Sequence, residues 1–220
     1  MTATQVPLSG TAAMLIGLAA LGVSMIGPFW RILKHGTVMA HEGAHAAGLA
    51  MVFQKVGGIE LNSDATGGTD PAAAQMGCLS WVFVAILGYL GPSLFGLAAA
   101  KMIETDHIVE VLWIALFLLA LLALAVTTKF GVFTVIAAGG LVFLIVRYTS
   151  LEAQIIAAYA ITWLLLLTGV RRMLEVGMQS QDGKNLAAKT LVPRFIWFLL
   201  WLGGTVTAVA IGGKWLILRT

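Results

Sequence analysis

The sequence His41-Glu42-Gly43-Ala44-His45 has the form HExxH. On an α-helix, positions i and i+4 lie on one face, so His41 and His45 can present imidazole nitrogens to one metal ion. Two neutral imidazoles suit Zn²⁺, and Glu42 stands at the next position of the turn. A carboxylate placed there can take a proton from water that the metal activates. The motif therefore indicates metal-assisted hydrolysis of an amide bond.

The surroundings of this motif are apolar. It lies in residues 36–53, and its flanks, residues 36–40 and 46–53, carry no charge. Ionisable groups in such a setting are costly and usually functional. The alternative is a pair of core histidines with a buried glutamate satisfied by its neighbours. The spacing favours the metal site over that alternative.

The composition indicates an integral membrane protein. Hydrophobic residues make up 60% of the 220 residues and charged residues 10%, against about 25% charged in an average soluble domain. The formal charge of +3 is small and spread out, which argues against a nucleic-acid-binding surface. Cys78 is the only cysteine, so it can form neither an internal disulfide nor a thiolate metal site by itself.

The apolar segments predict an all-α polytopic membrane protein, a single membrane-embedded domain over residues 1–220. About seven membrane helices are expected, since a span needs about 20 residues. Their approximate ranges are 12–30, 36–53, 77–100, 111–128, 130–146, 153–170 and 194–213. The first thirty residues contain no Lys or Arg, unlike a signal peptide, so the first span is expected to be retained. An odd number of spans places the termini on opposite sides of the membrane.

Two polar stretches interrupt this pattern. The segment after the HExxH helix, residues 56–69, is rich in Gly, Val, Ile, Leu and Thr and predicts a small β-hairpin, with a polar loop as the alternative. A strand edge near Ile59 and Leu61 could hold a substrate extended by β-augmentation. The longest polar stretch, residues 171–194, contains the turn signal Asp182-Gly183. We expect both stretches on the side of the N-terminus.

Several of these features occur together in one known family. They are HEGAH on a membrane helix, the Gly-rich hairpin after it, GYLGP at residues 88–92, and a late Asp-Gly before a helix that follows a proline and carries spaced tryptophans. Over residues 36–201 the chain resembles the site-2 protease family, and within it the compact bacterial M50B-like branch. The resemblance implies a multi-pass protein of a bacterial cell membrane. It also implies an intramembrane zinc endopeptidase that hydrolyses peptide bonds in or near the membrane segments of other proteins.

The resemblance also implies residue roles and partners. His41 and His45 would be zinc ligands, Glu42 the general base, and Asp182 the third ligand of one Zn²⁺ per chain. The partners would be a membrane-protein substrate and the lipid bilayer, with no nucleic acid. The chain departs from the better-studied members just before the Asp-Gly, where it has residues 179–181, Gln-Ser-Gln, in place of an Asn and a Pro.

From the residues alone, the third ligand remains open. Asp182 precedes Gly183, whose freedom at positive φ would allow a sharp turn towards the metal. The alternative is a turn-forming aspartate in a solvated loop. Asp64 and Asp70 lie among turn residues, where aspartate usually caps backbone groups. Glu175 follows two arginines at helical spacing, so a surface ion pair explains it.

Two other functions are compatible with the motif. An inactive relative could bind metal and act as a membrane scaffold. A small ion transporter could use intramembrane His and Glu in its pathway. A transporter should show repeats or paired broken helices in its two halves, and the sequence contains no second copy of HEGAH.

Overall fold

Helices dominate the structure, a computed structural model that describes residues 5–72 and 76–218. The helices are α1 (Gly10–Met25), α2 (Gly27–Met51), α3 (Cys78–Glu104), α4 (Glu110–Ala125), α5 (Lys129–Tyr148), α6 (Leu151–Val176), α7 (Gln181–Thr190) and α8 (Arg194–Leu218). A short 3-10 helix, Gly177–Gln179, separates α6 from α7. Two strands, β1 (Val56–Leu61) and β2 (Gly67–Pro71), form one antiparallel hairpin between α2 and α3.

Four of the described helices are long and apolar enough to cross a membrane: α3, α5, α6 with the following 3-10 turn, and α8. Helices α1 and α2 meet this condition together, as a pair bent by 104°. Helix α4 is apolar but shorter, with 16 residues. The chain is therefore a helical, multi-pass integral membrane protein with a small hairpin, as the sequence predicts. The predicted number of seven spans is not confirmed within the described residues.

The boundary between the first two helices differs from the prediction. The sequence placed it between residues 30 and 36, whereas the structure ends α1 at Met25 and begins α2 at Gly27. Pro28 explains the position, because proline has no backbone N–H and fits the first turn of a helix but not its interior. Arg31 and Lys34, which were expected to end the first span, lie inside α2. The HExxH motif therefore occupies the second half of a 25-residue helix.

Helices α1, α3, α6 and α8 form the centre of the bundle. The Trp163 indole N–H on α6 donates to the Ala13 carbonyl on α1 at 2.9 Å, inside the protein. Gly96 lets α3 approach α6 closely, since a Cβ there would lie 2.8 Å from the Leu166 backbone nitrogen. Small residues at helix contacts are typical of membrane bundles. This centre is the frame against which α2 packs.

Both ends of the described chain lie at one end of the bundle. The Gln5 side-chain oxygen accepts the N–H groups of Ile108 and Val109, both at 2.9 Å, in the connection between α3 and α4. Gly10 packs against the Ile217 carbonyl near the end of α8, so closely that a Cβ there would lie 2.3 Å from the oxygen. The ends of the described chain thus differ from the expectation of termini on opposite sides, which counted α1 and α2 as two separate spans, whereas they meet the condition for a span only together, as one bent pair.

The hairpin lies at the other end of the bundle. The Thr127 N–H, in the connection between α4 and α5, donates to the Ile59 carbonyl of β1 at 2.9 Å. The 16-residue α4, about 24 Å long, separates this contact from the connection between α3 and α4. At the end of α6, the Arg172 guanidinium donates to the Ala65 carbonyl in the hairpin turn at 3.5 Å. The hairpin and the start of the 171–194 stretch thus share one end, as predicted, but it is not the end of the N-terminus.

The 171–194 stretch is more ordered than the predicted loop. Helix α6 continues to Val176, and Gly177, at φ 50°, ends it. Ser180 then caps α7, with its hydroxyl accepting the Gly183 N–H at 3.2 Å. Gly183 therefore lies in the first turn of a helix, and the sharp turn expected there is wrong. The left-handed glycine of this region is Gly177.

Side-specific labelling tests this arrangement. In a Cys78→Ser background, single cysteines at Ser63 in the hairpin turn and Lys184 on α7 are expected to react with a membrane-impermeant maleimide from the same side. A cysteine at Thr149, between α5 and α6, should react from the opposite side, because α5 carries the chain away from the hairpin. Labelling of positions 63 and 184 from opposite sides would contradict the arrangement.

Candidate metal centre

Helix α2 presents both histidines of the motif to one point. Because His41 and His45 are one turn apart, their rings lie together, and their Nε2 atoms are 3.1 Å apart. The His45 Nδ1 lies 2.9 Å from the Val84 carbonyl oxygen, which can only accept a hydrogen bond. The proton of His45 therefore belongs on Nδ1, and Nε2 keeps its lone pair for a metal ion.

Asp182 completes a triangle with the two histidines. Its Oδ2 lies 3.3 Å from the His41 Nε2 and 3.4 Å from the His45 Nε2. Tetrahedral zinc with ligand bonds of about 2.0–2.1 Å holds its ligand atoms about 3.3 Å apart. The three edges of the triangle match that spacing. Two imidazoles, one carboxylate and an open position are the donor set of a catalytic zinc site, so these residues could hold a metal ion.

Asp182 owes its position to α7. It lies in the first turn of that helix, where the helix dipole favours a negative charge. Gly183 permits close packing, because a Cβ there would meet the Ser180 hydroxyl at 2.6 Å and the Trp201 ring at 3.5 Å. Gly183 therefore serves packing and not the predicted turn.

The far end of α7 is also fixed. The Lys189 ammonium lies 4.5 Å from the centre of the Trp81 ring on α3, a cation–π contact. Leu186, in the middle of α7, is fully buried in a cluster with Trp201. The Trp201 indole N–H donates to the Ile86 carbonyl of α3 at 3.0 Å. Together, these contacts hold α7 and its aspartate against α3 and α8.

Glu42 lies beside the triangle and is almost completely buried, with its side chain 4% exposed. Its Oε1 is 4.0 Å from the His41 Nε2. Its Oε2 accepts the Thr69 hydroxyl of β2 at 2.8 Å. The carboxylate is therefore next to the site where the three ligand atoms converge, which is the position that a general base requires.

Helix α3 forms the floor of the site. A Cβ at Gly88 would lie 2.3 Å from the His45 Nε2 and 2.9 Å from the His41 Cε1, so only glycine leaves room for the two rings. The Tyr89 ring packs edge-on against the His41 ring, with the ring centres 4.5 Å apart. Neither role follows from the sequence, in which the glycine pair of GYLGP is the one signal for them. The second glycine, Gly91, packs against α2, since its Cβ would lie 2.3 Å from that of Ala44.

A comparison with known families decides the classification. A family model described as Peptidase M50B-like matches residues 13–212. The chain belongs to the Peptidase M50B-like family. Neither a curated protein nor a solved structure matches the chain. The resemblance to site-2 proteases stated above is thus confirmed, and by family this M50B-like chain is a membrane metalloprotease.

The candidate centre of the M50B-like chain lines a cavity of about 720 Å³. Strand β2 borders it on one side, and α3 and α7 border it on another. Apolar side chains near the metal ligands include those of Leu49, Trp81 and Val84. A cavity of this size takes a short stretch of extended polypeptide beside the three ligand atoms.

The predicted substrate contact at Ile59 and Leu61 needs correction. Ile59 is fully buried and Leu61 is 4% exposed, both in a core cluster with α2, α4 and α5. One edge of β1 pairs with β2, and the other bonds to the connection between α4 and α5, where Thr128 donates to the Leu61 carbonyl at 2.7 Å. Strand β1 therefore has no edge for a substrate. The residues of β2 line the cavity instead.

The other acidic candidates have separate partners. Asp64 accepts the Thr66 hydroxyl at 2.6 Å and the Thr66 N–H at 3.0 Å, and these bonds lower the pKa of its carboxyl. Glu175 pairs with Arg172 at 2.8 Å and with Lys34 at 3.2 Å, as its helical spacing from Arg172 predicts. Among the described residues, only His41, His45 and Asp182 form a group of three that could hold a metal ion.

The position of Glu42 can be tested from β2. A Cβ at Gly67 would lie 2.6 Å from the Glu42 Oε1, so Gly67→Ala must displace the carboxylate. We expect cleavage of a membrane peptide to fall by at least about tenfold, because acid–base groups contribute about 10²–10⁴-fold, while bound zinc is retained. The matched control is Gly68→Ala, where a Cβ meets no described atom within 4 Å. Equal rates for the two variants would place Glu42 elsewhere.

Proposed function

We propose that the chain is an intramembrane zinc endopeptidase that hydrolyses peptide bonds in or near the membrane segments of other proteins. One observation carries the proposal: in an M50B-like membrane protein, three ligand atoms converge in a cavity with a buried carboxylate beside them. Amide hydrolysis needs this combination, because a metal ion and a base act on the same water and carbonyl.

His41, His45 and Asp182 would hold one zinc ion per chain. Their distances and donor types fit that ion, as shown above. Bound zinc supplies a Lewis acid, which lowers the pKa of water to about 7 and polarises a carbonyl group. Val84 keeps the His45 ring in the required tautomer, and Tyr89 supports the His41 ring.

Glu42 would move the proton. Its carboxylate accepts a proton from the attacking water and donates it to the nitrogen of the departing amine, so the carboxylate is regenerated at the end of the reaction. Its burial keeps bulk water from competing for that proton, and Gly67 leaves space for the side chain next to β2.

Strand β2 would hold the substrate. A peptide bond inside a helix is shielded and hydrogen-bonded, so a membrane helix must unwind before it is cleaved. Among the described residues, β1 is the only strand that pairs with β2, so an extended segment could add to the other edge of β2 by β-augmentation. Since β2 and the three ligand residues line the same cavity, a segment added to β2 would lie near the metal centre.

Reconstituted protein tests this function. The full chain is placed in liposomes with a panel of tagged single-span peptides that carry helix-destabilising residues, and cleavage is followed by mass spectrometry. We expect cleavage by the zinc-loaded wild type and a loss of about 10²–10⁴-fold in Glu42→Gln, whose amide keeps the shape but cannot accept the proton. Zinc should stay bound in that variant.

Two results would contradict the proposal. Cleavage by Glu42→Gln at the wild-type rate would remove the assigned base. A wild-type protein that holds zinc but cleaves none of the peptides would support the alternative of a metal-binding scaffold.

A further inference from the structure

The Thr69 side chain connects the hairpin to Glu42, the proposed general base. Its hydroxyl lies 2.8 Å from the Glu42 Oε2 and 3.2 Å from the Glu42 backbone carbonyl oxygen. A hydroxyl carries a single proton, and the shorter contact to a charged acceptor is the stronger bond. Thr69 is thus the hydrogen-bond donor of β2 that reaches the carboxylate.

The two oxygens of the carboxylate have different surroundings. The Glu42 Oε1 is 4.0 Å from the His41 Nε2 and lies against Gly67 of β2. The Glu42 Oε2 accepts the Thr69 hydroxyl. The terminal torsion of glutamate is broad and allows the carboxylate to turn. A bond to one oxygen limits that rotation and leaves the other oxygen free to accept a proton.

The residues of β2 alternate in a way that suits this contact. Side chains two positions apart lie on the same face of a strand. Gly67 and Thr69 both lie next to Glu42: Gly67 leaves room for the carboxylate because it has no side chain, and Thr69 donates its hydroxyl to it. A Cβ at Gly68, by contrast, would meet no described atom within 4 Å. One face of β2 therefore packs against Glu42, and the residues of the strand also line the cavity.

We propose that Thr69 is a positioning residue that orients the Glu42 carboxylate, and that it links the strand that holds the substrate to the base. The inference rests on the proposed function. It assigns to the hairpin a part in the chemical step as well as in binding, because β2 carries both the edge for the substrate and the donor to the base.

The test uses two substitutions in the full, reconstituted chain. Thr69→Val keeps the shape and the β-branch but removes the donor, and Thr69→Ser keeps the donor. On one cleaved peptide, we expect Thr69→Val to lower kcat by about tenfold or more, within the range of an acid–base contribution, with KM changed by less than about twofold. Thr69→Ser should restore kcat to within about threefold of the wild type.

Further measurements separate positioning from damage to the strand. Zinc content and the anisotropy of a labelled peptide bound to the uncleaving Glu42→Gln protein should be unchanged by Thr69→Val. In the Glu42→Gln background, Thr69→Val should cause no further loss of rate, since the carboxylate that it orients is gone.

Three outcomes overturn the inference. A wild-type kcat in Thr69→Val shows that the hydroxyl has no part in the reaction. Loss of zinc or of peptide affinity in Thr69→Val, with a similar loss in Thr69→Ser, shows a structural role. A zinc-loaded wild type that cleaves no peptide removes the proposed function, and the inference with it, whereas cleavage by the wild type and by Thr69→Val alike removes the inference alone.

Discussion

Gly88→Ala is expected to remove most of the bound zinc and to lower cleavage by at least about a hundredfold, the lower end of what one acid–base group contributes. A Cβ at this position would lie 2.3 Å from the His45 Nε2 and 2.9 Å from the His41 Cε1. Both distances are too short for a contact between non-bonded atoms, so the two imidazole rings must move away from the positions in which their nitrogens converge. Elemental analysis and the peptide assay measure the two effects.

Gly43→Ala is the matched control for this variant. Gly43 lies inside the HEGAH sequence, and a Cβ there would meet no described atom within 4 Å. Alanine in place of glycine within a helix stabilises a protein by about 0.4–1 kcal/mol where the backbone permits it. We therefore expect Gly43→Ala to keep zinc and activity. Full zinc in Gly88→Ala would show that the metal does not bind between the two rings.

Asp182→Asn is expected to have the second large effect. The amide keeps the size of the side chain but loses the negative charge, so its oxygen is a weak ligand for a divalent ion. Replacing a residue that only hydrogen-bonds to a metal ligand typically lowers metal affinity by about 10–100-fold. Since Asp182 would be a ligand itself, we expect a larger loss of zinc affinity in Asp182→Asn and no cleavage. Competition with a zinc-binding dye measures the affinity, and the peptide assay measures the rate.

Asp64→Asn and Asp70→Asn serve as controls for Asp182→Asn. Asp64 bonds to Thr66 in the hairpin turn, and Asp70 belongs to β2 but not to the group of three ligand atoms. Both variants should retain zinc at the wild-type affinity. Wild-type zinc affinity in Asp182→Asn would move the third ligand to another residue.

The local features of the site could be predicted from the sequence. The four-residue spacing of His41 and His45 places them on one helical face in any fold, so their convergence follows from the period of the helix. The hairpin was likewise visible in the Gly- and β-branched-rich segment after α2. Asp182 was named through the family's Asp-Gly, and the structure places its carboxylate 3.3 Å from His41.

The contacts between distant segments could not be predicted. Glu42 and Thr69 are 27 residues apart, and Ile59 and Thr127 are 68 apart, so no local pattern joins them. The second contact occupies the edge of β1, and for that reason we propose β2 as the strand that holds the substrate. The role of Gly88 could not be predicted either, because the rings that it accommodates belong to another helix.

Two errors had local causes that the sequence contained. Pro28 marks the first turn of α2, whereas the charges of Arg31 and Lys34 favour a span that ends near residue 30. Ser180 is a good N-cap for α7, but the following Asp-Gly was interpreted as a turn. In both cases a helix-start signal was present, and the polar residues around it favoured a loop instead.

Zinc stoichiometry measured on the purified chain tests the central claim most directly. Elemental analysis of the wild type should give about one zinc per chain, and the same analysis of His45→Ala should give almost none, because only His41 and Asp182 would remain as ligands. Glu42→Gln, which leaves the three ligands intact, should still hold about one zinc. A wild type without zinc, or a His45→Ala protein with its full complement, would contradict the assignment of His41, His45 and Asp182 as a zinc centre.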